Sequence, residues 1–103
     1  MTKPARLDRE AEEEIVGAVD WYEGQREGLG LEFLDALRDA KVRMIELPHA
    51  CPLVPGVSVQ LGVRRCPVRR FPYWLIFVEL PEEIRVLAAA HERRRPGYWR
   101  SRL

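Results

Sequence analysis

The residues with the widest chemical reach lie at the C-terminal end, in "AAAHERRRPGYWRSRL", residues 88–103. His91 carries an imidazole, which titrates near neutrality and suits a general acid or base. Arg93, Arg94 and Arg95 follow, each a planar fork of donors matched to carboxylate or phosphate. Pro96 and Gly97 turn the chain, and Tyr98 and Trp99 come directly after. A phenol, an imidazole and three guanidiniums in so short a span suit either anion binding or proton transfer beside a bound anion. The same stretch also reads as a latch, with the two aromatics folding back on the body of the protein and pinning its end.

A second set of cations, Arg64, Arg65, Arg69 and Arg70, flanks a valine-rich segment. Neighbours in a strand point to opposite faces, so only one of each pair can share a face with a given ligand. Cys51 and Cys66 lack the close spacing of a zinc site and are too few for a disulfide framework. They are expected to be small, partly buried hydrophobes with reduced thiols. His49, in a proline-rich loop, is expected to be solvated. No metal and no cofactor are expected.

The formal charge of +1 conceals a division. Residues 1–47 hold 12 acidic and 7 basic residues, whereas residues 48–103 hold 4 acidic and 10 basic, every one of the latter arginine. The C-terminal half is therefore the candidate anion-recognition half. No apolar run approaches the roughly 20 residues that span a bilayer, and "MTKPARLDREAEEE" has no apolar core of a signal peptide. A cytoplasmic protein without membrane contact is expected.

These side chains need a frame. A length of 103 residues gives one domain, 1–103. A weak strand signal covers about 2–7. Asp8 then offers an N-cap, with Glu10, Glu12, Glu13 and Glu14 in the first turns, where carboxylates complement the helix dipole. Ala11, Ile15, Ala18 and Tyr22 form one face of a helix over about 9–26. "EGLG", residues 27–30, breaks it. Phe33, Leu37, Ala40, Met44 and Leu47 mark a second helix over about 31–47, ended by Pro48. Strands are expected over about 61–69, 71–80 and 84–92, with Pro72 tolerated at the start of the middle one. Trp21, Tyr22, Tyr73, Trp74 and Phe77 are expected in the core. The fold class is α+β: an N-terminal helical hairpin packed on one face of a three- or four-stranded antiparallel sheet, with a short C-terminal latch.

Three stretches in this order, "WYEGQREGLGLEFLDAL", "VRRCPVRRFPYWLIFV" and "IRVLAAAHERRRPGYW", resemble the RelE/ParE superfamily of type II toxins. These are the stable halves of bacterial toxin–antitoxin pairs, known also as plasmid stabilisation systems. The resemblance runs from about residue 8 to 100. It implies a cognate antitoxin that wraps a segment of its own chain around the toxin, in a hetero-oligomer.

The superfamily divides by target. RelE-like members cut mRNA on the ribosome, which requires a base near the 2′-OH, an acid for the leaving oxygen and cations on the phosphate. ParE-like members poison DNA gyrase. On the RelE-like pattern Tyr98 falls on the catalytic tyrosine, and Arg64 or Arg65 on a sheet lysine. A strand arginine is replaced by Trp74, however, and the arginine after the last strand falls on Glu92, with Arg93 one place later. A carboxylate there repels a scissile phosphate. The resemblance is therefore closest to the ParE-like branch: a gyrase inhibitor that binds its antitoxin or target through Arg64, Arg65, Arg69, Arg70, Arg93, Arg94, Arg95, Tyr98 and Trp99. The alternative is an mRNA endonuclease using His91, Arg93 and Tyr98 with the ribosome as partner. A third reading is a degenerate, non-toxic binding module.

Overall fold

Ala5–Leu7 forms a first short strand, β1, in the computed structural model, which describes residues 2–103. Two helices follow, α1 (Arg9–Gln25) and α2 (Leu29–Glu46), and then strands β2 (Val63–Val68), β3 (Tyr73–Glu79) and β4 (Ile84–His91). Asp8 occupies the N-cap of α1 but makes no side-chain cap bond. Its buried carboxylate instead accepts two hydrogen bonds from the Arg85 guanidinium, at 2.9 and 2.8 Å.

The α1–α2 connection explains "EGLG". Gly28 sits at φ 88°, a left-handed conformation that a Cβ disfavours. The Gly28 and Gly30 N–H groups each donate to the Glu23 carboxylate at 3.0 Å, so a side chain of the first helix caps the second. These two donors hold the Glu23 carboxyl below its ordinary pKa. A Cβ at Gly30 would lie 3.0 Å from Glu23 Oε1 and 3.1 Å from the Val19 carbonyl, so glycine permits the close approach of the helices.

The sheet order is β1-β4-β3-β2. The meander β2-β3-β4 is antiparallel, as expected, but β1 pairs parallel to β4, which makes the sheet mixed. The parallel pairing follows from topology. β1 enters at the start of the chain, and the helical hairpin and the other two strands intervene before β4 returns beside it. β3 starts at Tyr73 rather than 71, because Phe71 closes a turn with Val68 (N–H to carbonyl, 3.1 Å).

Both sheet faces are covered. Cys66, Val68, Leu75, Phe77, Ile84, Val86 and Ala89 pack under the helices with Tyr22, Phe33 and Met44. A bulge at Ile76/Phe77 turns both Leu87 and Ala88 to the other face, where Val63, Ile76, Val78, Ala90 and Trp99 form a second apolar cluster. An arm, residues 51–62, and the C-terminal segment lie over that second cluster through Val54, Val57 and Tyr98. Trp21, expected in the core, is 62% exposed on α1. It lies one residue before Tyr22, which takes the inward position. Among the described residues no helix is long and apolar enough to cross a membrane.

Candidate partner-binding cleft

β4 outruns its neighbour. β1 ends opposite Val86, leaving the outer edge of residues 87–91 without a strand partner among the described residues. Two side chains take the place of that strand. Glu14 of α1 accepts the Ala89 N–H at 3.1 Å, and Arg102 donates to the Leu87 carbonyl at 2.9 Å. Glu14 and Arg102 also pair with each other through two bonds, at 3.0 and 3.1 Å. The Tyr98 hydroxyl donates to the same carboxylate at 2.5 Å, and Arg85 donates to the Arg102 carbonyl at 2.6 Å. A half-buried chain of polar contacts, Asp8–Arg85–Arg102–Glu14–Tyr98, thus fastens the C-terminal segment. Trp99, 3% exposed, completes the fastening on the apolar side.

Fastened this way, the segment forms one wall of a cleft of about 320 Å³ on the face of the sheet away from the helices. The opposite wall is the arm, through Val54, Pro55 and Val57, and the floor is Trp74, Ile76 and Ala90. Arg65, Arg94, Arg95 and Arg100 line it, against the one carboxylate of Glu92. The Arg65 guanidinium lies over the Trp74 ring, 4.2 Å from its centroid, and its Nε is buried without a hydrogen-bond partner among the described residues. Arg94 lies over the Tyr98 ring at 3.9 Å. Arg100 ties the two walls together by donating to the Gly56 carbonyl at 2.9 Å. Stacking on aromatic rings fixes these guanidiniums while leaving their donor edges free for an anion.

The structure divides the sequence candidates. Arg65, Arg94, Arg95, Tyr98 and Trp99 meet at the cleft, along with His91. Arg64 does not: it stands on the helix-facing side of β2 and donates to the Cys51 carbonyl at 2.7 Å. Arg69 and Arg70 lie in the β2–β3 turn and line a separate depression together with Asp35 and Asp39 of α2. Arg93 is exposed in the turn after β4, outside the cleft, and its N–H donates to His91 Nδ1 at 3.0 Å. That leaves only Nε2 of the imidazole for any substrate. Burial, then the Glu14 contact, pushes the Tyr98 phenol well above its ordinary pKa, and the phenol proton is already engaged. His49, expected to be solvated, pairs with Glu79 at 2.6 Å. Glu14, Arg100 and Arg102 were invisible as site residues from sequence. Glu14 looked like one of four dipole-complementing glutamates, and the two arginines like an ordinary basic tail.

No protein-family model matches the sequence, and no curated protein matches it. Among solved structures, the chain is similar to one described as the chromosomal ParDE TA system from P. aeruginosa. The TM-score is 0.71 at 17% identity, covering 86% of this chain and 95% of that one. The chain shares the fold of that structure. At this identity the likeness fixes the arrangement of helices and strands and leaves each side chain to be argued from its own contacts. Within that fold, the cleft described above is the place where cations, aromatic faces and an apolar floor converge.

Proposed function

We propose that this protein is the toxin of a bacterial type II toxin–antitoxin pair, acting in the cytoplasm as a ParE-like binding inhibitor of DNA gyrase and neutralised by a cognate antitoxin. The observation that carries this reading is an arginine-lined cleft, in a fold similar to that of the ParDE structure, whose candidate phenol proton is committed to Glu14. Phosphodiester cleavage needs both a proton acceptor and a proton donor free beside the phosphate. Here the Tyr98 hydroxyl is bound to Glu14, His91 offers Nε2 alone, and the Glu92 carboxylate in the wall opposes a phosphate. Binding makes no such demand. Four guanidiniums around an apolar floor match a partner segment that alternates acidic and apolar side chains, as an antitoxin tail would offer. Val59 and Leu61, 70% and 55% exposed, extend the apolar surface along the arm.

Expression from a tightly repressed promoter, without any antitoxin, tests the reading. Growth arrest with filamentation and induction of the DNA-damage response is expected. Purified protein should inhibit gyrase supercoiling and accumulate gyrase-cleaved DNA. Prompt translation arrest with mRNA trimmed on ribosomes would instead establish the endonuclease alternative, and unimpaired growth would leave a non-toxic binding module. The variant Arg93→Ala/Arg94→Ala/Arg95→Ala should abolish the arrest with little change in Tm, because all three side chains are exposed. If that variant unfolds, the arginines are structural and the cleft is not the working surface.

A further inference from the structure

The two cysteines stand opposite each other across a short antiparallel pairing. Leu53 bridges Arg64, the Val54 N–H donates to the Val63 carbonyl (2.9 Å), and the Arg65 N–H donates to the Pro52 carbonyl (3.0 Å). Hydrogen-bonded pairs at 54/63 and 52/65 thus flank a non-hydrogen-bonded pair at 53/64. One step further in the same register places Cys51 opposite Cys66, again at a non-hydrogen-bonded position. The backbone at Cys51 is extended, with φ −81° and ψ 131°. Directly opposed residues at such a position have Cα atoms about 4.5 Å apart and side chains on one face. Disulfides span Cα separations of about 4.4–6.8 Å. Both sulfurs face α2 and the residue after it: Cys66 Sγ is 3.5 Å from the Ala40 carbonyl and Cys51 Sγ 3.9 Å from the Leu47 carbonyl. Both thiols are free and buried in the same cluster.

We propose that Cys51 and Cys66 are a redox pair that closes to a cross-strand disulfide and fixes the root of the arm walling the cleft. The oxidant is a low-molecular-weight disulfide. The Cys51 thiolate attacks one of its sulfurs and releases one thiol, leaving a mixed disulfide on Cys51. The Cys66 thiolate then attacks the Cys51 sulfur and releases the second thiol. Two electrons pass from the pair to the oxidant, and the two cysteine protons leave on the released thiols.

Cys51 is the entry point because it lies on the arm and is the more exposed of the two, at 6% against 1%. Burial, with Cys66 alongside, pushes its thiol up to about 11. Little thiolate therefore exists near neutrality in the closed protein, and reaction waits on opening of the arm. Few bonds tie that arm to the sheet and the C-terminal segment: the two backbone bonds above, Arg64 to the Cys51 carbonyl and Arg100 to the Gly56 carbonyl. The pair thus responds to sustained oxidation rather than to a brief pulse.

The test uses the full chain incubated with excess oxidised glutathione, then denatured, alkylated and weighed without reductant. A parallel sample is oxidised in urea just below the unfolding transition. The expected product is a monomer lighter by two hydrogens, carrying no alkyl group, with the Cys51 and Cys66 peptides linked. Its Tm should rise by roughly 5–15 °C, the span expected for closing a loop of this length. Cys51→Ser and Cys66→Ala should each lose the product. Stable glutathione adducts, disulfide-linked dimers, or two alkylatable thiols even in the urea sample would overturn the proposal.

Discussion

The hydroxyl of Tyr98 donates to Glu14, 84 residues away in sequence. Sequence alone marked Tyr98 by its type and its place after a Pro–Gly turn, and the structure does bring it to the cleft. What sequence did not carry was the partner, because a contact across 84 residues leaves no local pattern. Arg94, Arg95 and Trp99 were legible for the same reason as Tyr98. Arg64 and Arg65 were legible only as alternatives, and the register with β3 decided between them. The Tyr98 contact has a pH consequence. Burial first, and Glu14 second, raise the phenol above its usual value of about 10. The native state keeps the proton while the unfolded chain releases it. The stability this group contributes is therefore complete below about pH 10 and falls as pH rises from there. Thermal melts should show Tm dropping above about pH 10. Tyr98→Phe should lower stability at neutral pH, by about 1.5–3 kcal/mol for a bond to a charged acceptor, yet flatten the alkaline decline in Tm. Tyr22 and Tyr73, also raised by burial, account for the slope that remains. An unchanged slope in Tyr98→Phe would show that its hydroxyl is not held this way.

At the scale of elements, the helices were legible because their periodicity is long and their ends are punctuated. α1 and α2 lie within two residues of the expected limits. The meander was legible from its aromatic and β-branched runs. The parallel placement of β1 was not, since a strand of three residues has no face pattern to read and pairs through topology alone. The α1–α2 turn offers a sharp test of why its glycines stand where they do. Gly28→Ala meets open space but is strained at φ 88°, and should cost about 1 kcal/mol. Gly30→Ala has an ordinary backbone but a crowded Cβ site, against the Val19 carbonyl at 3.1 Å as well as the Glu23 carboxylate. It should cost more, about 1–3 kcal/mol, by forcing the helices apart. Urea melts of the two variants check the order. If Gly28→Ala is the worse, backbone strain and not helix approach governs the turn.

Across the whole molecule, one sheet separates two apolar clusters, and the C-terminal segment passes from the edge of one to the floor of the other. The polar chain through Glu14 makes that crossing possible. Glu14 and Arg102 have side chains only 16% and 15% exposed, so neither is easily rehydrated in place. Glu14→Ala would strand the Arg102 guanidinium, the Tyr98 hydroxyl and the Ala89 N–H together, and should cost about 3–5 kcal/mol. It should also release Trp99 and open the cleft wall, so partner binding falls with stability. Arg102→Met removes the cation but leaves Glu14 with two donors, and should cost less. The double variant Glu14→Ala/Arg102→Met has no stranded charge, and its loss should be smaller than the sum of the two single losses. Urea denaturation of the four proteins gives the coupling directly. If the losses simply add, Glu14 and Arg102 act independently, and the polar chain does not fasten the C-terminal segment as a unit.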